Sequence, residues 1–372
     1  MTKSAILSVK SQSFTVALFS LSIFLQAQSD VLKIGILLPQ NREEGTNIIL
    51  GAETAVNEFN KRYNLRASLI IKQHLNQWGQ EADEAVEMLF SDGALGIIAP
   101  PDGVATHLAF QVAGRTRKPM ISLCSDTSIT GATIPWCLRI TPSSFDEIKT
   151  VFNYLNTKLT LRNSKWLLIA QSGRTAREVE NDAKKAAALF GVNVEETIGF
   201  DFKKEISKEE IKKKIGSALK VKPDGIFICL QPDYAAEIVR EIRSLNSQVL
   251  IVGSGRLFSE KFILLAGNYS NDIIVPTVKF GFVPENSDYT VDFLKLDTAQ
   301  RDYISIMSRD AAAVLLEHFR KCDPDRPHLN FPGDVNLIGW TGELKFDKTG
   351  DRILKNLIVW KIHNRKFILT TD

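Results

Sequence analysis

The side chains best suited to chemistry are four cysteines and five histidines, and their spacing argues against catalysis. Cys124, Cys137, Cys229 and Cys322 include no CxxC pair and no Cys/His cluster, so neither a zinc site nor a redox dithiol is expected. His74, His107, His318, His328 and His363 are scattered, with no HExxH helix. No serine sits in a GxSxG elbow and no Walker loop is present. Gly253-Ser254-Gly255 is a fragment of a dinucleotide fingerprint that lacks its third glycine. The expectation is no enzyme, no cofactor and no metal. What remains is binding chemistry: Glu44, Asp102, Ser125, Ser172, Arg174, Asp233 and Arg256 all fall in polar stretches that follow short apolar runs.

Those stretches must be positioned by strands. Leu95 to Thr130 holds the clearest case. Gly96 to Ala99 is a continuous apolar run of the buried, parallel kind, broken by Pro100-Pro101-Asp102-Gly103. Val104 to Ala113 has helical spacing, Gly114 and Pro119 bracket its end, and Met120 to Leu123 is a second strand entering Cys124-Ser125-Asp126. Both loops therefore leave the carboxyl ends of neighbouring strands, the edge where open α/β sheets bind ligands. Backbone N–H groups opening the next helix would suit an anionic group.

The same rhythm runs along the chain. Strands are expected at Val31–Leu38, Ala67–Ile71 and Trp136–Thr141, with helices at Ile48–Arg62 and Gln80–Ser91. A second β/α run begins at Phe145: helix to Leu159, strand Lys165–Ala170, helix Thr175–Phe190 and strand Val192–Thr197. One highly charged helix follows over Lys203–Lys222, then strand Gly225–Leu230, helix Tyr234–Asn246 and strand Gln248–Val252. Such alternation forces parallel sheets with helices on both faces. A long helix is expected over Ala299–Arg320, and the tail from Gly339 to Ile368 reads as a β meander turning at Asp347–Asp351.

The chain has 372 residues, enough for two cores, with 44% hydrophobic and 24% charged residues. Residues 1–28 read as a signal peptide. Lys3 and Lys10 make a basic n-region, Phe14 to Leu25 is the apolar h-region, and cleavage is expected after Ala27 or Gln28. The formal charge is +3, and without Lys3 and Lys10 it falls to +1, so no nucleic-acid surface is implied. No later segment is apolar and long enough for stable membrane insertion. In an exported protein Cys124 and Cys137 would either close a short disulfide loop or stay as buried thiols.

Three segments resemble the type I periplasmic solute-binding proteins, the leucine/isoleucine/valine-binding family. IGILLP at 34–39 with ILGAETAVNEFN at 49–60 is similar to the family's first strand and helix. LGIIAP with its loop, then KPMISLCSDTSIT at 118–130, resembles the two loop segments that follow. TGELKFDKTGDR at 341–352 is similar to the closing hairpin. The resemblance implies an α/β fold of two Rossmann-like lobes with parallel sheets, joined by three crossovers near Thr141, Val275–Lys279 and Gly339. Lobe one would comprise 31–141 plus 280–338, and lobe two 142–276 plus 340–372. A small-molecule ligand would sit between lobes that close by hinge motion. The partner would be an ABC permease or a membrane receptor, and the place the periplasm or the exterior.

The family's ligand positions carry over unevenly. Asp102, Gly103 and Val104 with Cys124 and Ser125 stand where lobe one would hold a ligand carboxylate. Asp102 either faces the cleft and repels an anion or caps the following helix. Glu44 stands where the family often has an aromatic residue, and so does Ser172 in lobe two. Asp233 with Tyr234 and Gly255 with Arg256 are the remaining lobe-two positions. Arg174 and Arg256, if directed into the cleft, would favour an anion. The resemblance thus implies capture of an amino-acid-like solute or other small anion, for ABC-type uptake or for sensing.

Overall fold

Short continuous apolar runs cannot bury themselves, and here they pair into two separate sheets. A computed structural model describes residues 31–73, 79–202, 206–246, 248–284, 289–333, 337–354 and 357–370. The signal segment expected at 1–28 and His74 lie outside them.

The first sheet takes β1 (Leu32–Leu38), β2 (Ala67–Gln73), β3 (Gly96–Ala99), β4 (Met120–Ser122) and β5 (Cys137–Arg139) in the parallel order β2-β1-β3-β4-β5. Helix α1 (Arg42–Tyr63) covers one face, packing Ile48, Ala52 and Phe59 toward Ile34, Ile36 and Ile98. Helices α2 (Gln80–Val86, continued by a π turn over Glu87–Ser91) and α3 (Gly103–Thr116) cover the other, with Ala85, Met88 and Phe110 against Leu37 and Ile97.

The second run begins with α4 (Ser144–Asn156), β6 (Lys165–Gln171), α5 (Arg174–Ala188), β7 (Asn193–Phe200) and α6 (Lys208–Ala218). It continues with β8 (Gly225–Cys229), α7 (Pro232–Leu245), β9 (Leu250–Gly253), α8 (Glu260–Ala266) and β10 (Ile274–Val278). Then come α9 (Tyr303–Phe319), the two-residue ladder of β11 (Ile338–Gly339) with β12 (Gly342–Glu343), and the hairpin of β13 (Leu357–His363) and β14 (Lys366–Leu369). The second sheet has the order β14-β13-β10-β9-β8-β6-β7, parallel except for its last two chain-order strands. Helix α9 does not join it: α9 lies along α1 and completes the first lobe. The third crossover is pinned to α9 by Asp310. Its fully buried carboxylate accepts from Trp340 N at 2.8 Å and from Thr341 N at 2.9 Å.

Several expectations need correction. The charged stretch 203–222 is not one helix: Ser207 caps α6 by accepting from Glu210 N at 3.1 Å, and α6 ends at Ala218 in a 3-10 turn. Residues 203–205 lie outside the described residues. The tail's long hairpin turns at Asn364-Arg365, both with positive φ, whereas Asp347–Asp351 closes a turn with one bridge between Phe346 and Arg352. Part of 280–338 packs differently from its expected place in lobe one. Thr290 bridges Ile368, Val291 N donates to Phe367 O at 2.8 Å, and Phe293 packs edge-on to Phe258 and Phe367. Backbone pairing outweighs chain proximity there, so 289–293 extends the second sheet.

No disulfide joins Cys124 and Cys137; both are free and buried, and burial raises both thiols. The register explains it. Met120 stands opposite Cys137, which leaves Cys124 four residues further along. That is about 13 Å at strand rise, out of disulfide reach.

The α1–α9 contact rests on Gly51, where a Cβ would stand 2.0 Å from Ser305 O. Gly51→Ala must push the helices apart, so its thermal midpoint should fall by roughly 2–10 °C. An unchanged melting curve would contradict this packing.

Candidate functional site

The loops at the carboxyl ends of the two sheets face each other, and side chains that end helices bridge them. Asn41 caps α1: its Oδ1 accepts from Glu43 N at 3.0 Å and Glu44 N at 2.9 Å. Its amide crosses the gap, donating to Gln231 Oε1 at 3.0 Å and Asp233 Oδ2 at 3.2 Å. Gln231 in turn donates to Glu44 Oε2 at 3.0 Å. Gln231 follows β8 and stands at the N-cap position of α7 without a side-chain cap bond, which leaves its amide for the bridge; Pro232 holds the first helical position. Arg256, in the 3-10 turn after β9, reaches across to an ion pair with Glu44. Lys261 pairs with Glu43 at the rim.

These residues, with Asn47, Asp302 and Ile304, line one cavity. Its free volume is about 20 Å³, room for little more than one water. Burial raises the Glu44 carboxyl, and Arg256 only partly offsets that. Burial lowers Arg256, but Glu44 outweighs it and the guanidinium ends above its usual range. Asp302, cap of α9, is pushed up to about 6, chiefly by burial. Among the described residues the buried Nε of Arg256 has no hydrogen-bond partner.

A second bridge lies beside it. Asp102 caps α3, accepting from Ala105 N at 2.8 Å, so the capping alternative holds and its charge is engaged by the helix start. A Cβ on Gly103 would meet Asp126 Oδ2 at 3.0 Å, which lets Asp126 approach the helix end. Arg174, the first residue of α5, donates to His107 Nε2 at 2.9 Å and Ser128 Oγ at 3.0 Å. Burial would raise Asp126, but His107 and Ser128 outweigh it and hold it below the usual range. Thr127 Oγ1 donates to Asp182 Oδ1 at 2.8 Å. Burial pushes Asp182 up to about 6 against that bond.

The expected site residues therefore divide. Glu44, Asp233 and Arg256 share the cavity. Gly255 adjoins it: its N–H donates to Glu147 Oε1 at 3.1 Å, and a Cβ there would lie 2.7 Å from that oxygen. Tyr234 stacks on Phe202 at 3.7 Å, so its ring packs within lobe two. Asp102, Gly103, Val104, Cys124 and Ser125 do not line the cavity. Ser125 meets the first turn of α4: its carbonyl accepts from Ser144 N at 3.0 Å and its hydroxyl lies 3.3 Å from Ser144 Oγ. Cys124 Sγ accepts from Asp126 N at 3.4 Å. Ser172 lies apart, its N–H bonded to Phe200 O at 2.8 Å. Asn41, His107, Asp126 and Gln231 carry bridges that the sequence did not single out; Asn41, Asp126 and Gln231 share the signal of a polar residue at a helix start after a strand, while His107 lies in the second turn of α3.

Among the described residues no group of three or more His, Cys, Asp or Glu side chains could hold a metal ion. Among the same residues no helix is long and apolar enough to cross a membrane.

A family model described as periplasmic binding protein matches residues 32–329. The chain belongs to the periplasmic binding protein family. Solved periplasmic binding proteins superpose on most of it. The leucine-binding protein LivK of Thermotoga maritima is 16% identical, covers 92% of this chain and 98% of its own, and has a TM-score of 0.74. LivJ of Streptococcus pneumoniae, solved with isoleucine, is 16% identical over 91% of this chain and 98% of its own, with a TM-score of 0.73. A solute-binding protein of R. palustris, solved with benzoate, is 15% identical over 91% of this chain and 95% of its own, with a TM-score of 0.76. A sequence comparison with curated proteins finds no match. At these identities the likeness shows the shared two-lobe fold.

Next to the periplasmic binding protein cleft, Glu147 supplies a pH signature. Burial pushes it up to about 8 against the hydrogen bond from Gly255 N. The folded chain then holds a proton that the unfolded chain releases near pH 4.5. Stability is therefore lost as pH rises from about 5 to about 8. Glu147→Gln should flatten that slope, gaining on the order of 1–4 kcal/mol over wild type at pH 8 relative to pH 5. Parallel slopes in chemical denaturation would contradict this.

Proposed function

We propose that this protein is exported and captures a small polar ligand between its lobes, reversibly and without chemistry, for delivery to an ABC permease. The observation that carries the reading is the set of polar bridges from Asn41 and Glu44 of one lobe to Gln231, Asp233 and Arg256 of the other. Such contacts close the lobes over a buried polar gap, and opening them exposes groups that a solute can engage. The bound solutes of the structural neighbours, isoleucine and benzoate, support a small carboxylate-bearing ligand. The apolar segment Phe14–Leu25 behind Lys3 and Lys10 supports export. The loops at 102–104 and 125 belong to the lobe-one half of the cleft in this reading, and those at 172, 233 and 255 to the lobe-two half.

Thermal-shift measurements against amino acids, amides, aromatic acids, dicarboxylates and short peptides test this. A shift with one class is expected; no shift with any of them would favour an interaction protein of the same fold. Ser125→Trp places a large side chain against Ser144 at the lobe junction and should abolish capture while the lobes stay folded. Unchanged affinity would remove Ser125 from the site.

A further inference from the structure

The cavity between the lobes is lined by four carboxylates, Glu43, Glu44, Asp233 and Asp302, against two cations, Arg256 and Lys261. Lys261 is taken by Glu43 and Arg256 by Glu44. Asp233 is held by Asn41 and by Tyr234 N at 3.0 Å, and Asp302 by Ile304 N at 3.0 Å. The space a ligand would need is occupied by the protein's own ion pair.

A ligand entering here must displace one member of that pair, and the two are not equivalent. An incoming cation would strand Arg256, whose guanidinium cannot shed its charge. An incoming carboxylate would strand Glu44, which can take a proton and become neutral. Gln231 already donates to Glu44 Oε2, a bond that a neutral carboxyl also accepts. The unpartnered Nε of Arg256 adds a donor, so the guanidinium can hold an incoming carboxylate through Nε and an Nη together.

Resting on the capture reading above, we propose that the cleft takes a carboxylate ligand by exchange: the ligand replaces Glu44 on Arg256, and Glu44 takes up one proton from solvent. The groups that face Glu44 fit this. Asp233 from α7 and Asp302 from α9 add negative charge, Arg256 from the turn after β9 is the only facing cation inside the rim among the described residues, and Asn41 and Gln231 are neutral. Once Arg256 has turned to the ligand, the hydrogen bond from Gln231 is what remains there to favour the ionised Glu44, against burial and the charge of Asp233. Its carboxyl is already raised by burial with Arg256 in place.

The test uses the full exported chain with benzoate, isoleucine and leucine, and benzamide and leucinamide as controls without a carboxylate. Calorimetry at pH 6, 7 and 8, in buffers of different ionisation heat, reads affinity and protons together. The expected result is a carboxylate that binds up to about tenfold more weakly per pH unit upward, with close to one proton taken up. Glu44→Gln should remove that slope, and Arg256→Met should lose the carboxylate. Carboxylate binding with no proton uptake and no slope in wild type would overturn the exchange. So would binding of the amides alone, which would leave the capture reading standing. Binding of nothing by either wild type or Glu44→Gln would overturn both.

Discussion

Charge cannot leave water without a partner, and this protein removes several charges from water between its lobes. Glu44 and Arg256 are the centre of that constraint. Glu44 is buried and Arg256 mostly so, and each has the other as its counter-charge. Breaking such a pair by removing one partner costs about 3–5 kcal/mol. The two lobes can therefore separate freely only where water or a ligand replaces what each gives the other. Arg174 with Asp126 and His107, and Thr127 with Asp182, repeat this logic at a wetter position.

Helix starts do much of the bridging. Four unpaired N–H groups open every helix and attract a side-chain oxygen. Asn41, Asp102, Asp126 and Asp302 all fill that role, and all lie on lobe one at the sheet edge or beside it. Asn41 shows the economy of the arrangement, since its oxygen caps α1 while its amide reaches Gln231 and Asp233. The same atoms that end an element thus set the distance between lobes. The crossover at Trp340-Thr341 is held separately by Asp310 on α9, away from the cleft.

Particular residues mark how far the sequence could be read. The alternation from Val31 to Val252 carried the two-sheet architecture, because buried parallel strands are continuous apolar runs and their helices keep a 3.6 spacing. Asp102 was legible as a cap. Ser125 and Ser172 were placed by position after a strand, yet Ser125 meets Ser144 and Ser172 faces Gly199. Position after a strand says which edge a residue is on and leaves its direction open. His107 carried no signal because a histidine is not distinctive on a helix.

Local periodicity and capping chemistry mark most of the strands and helices, their order and the edge where polar residues gather, but not the start of the charged helix at Lys208 or the hairpin turn at Asn364-Arg365. The sequence also held the pairing potential of Glu44 and Arg256 as two isolated charges 212 positions apart. That they meet is a property of the folded chain. Their contact depends on the angle between the two lobes and on a third crossover returning from α9. The tertiary structure decided likewise that 289–293 joins the second sheet, because β14 offered an open edge of backbone donors and acceptors that no local pattern encodes.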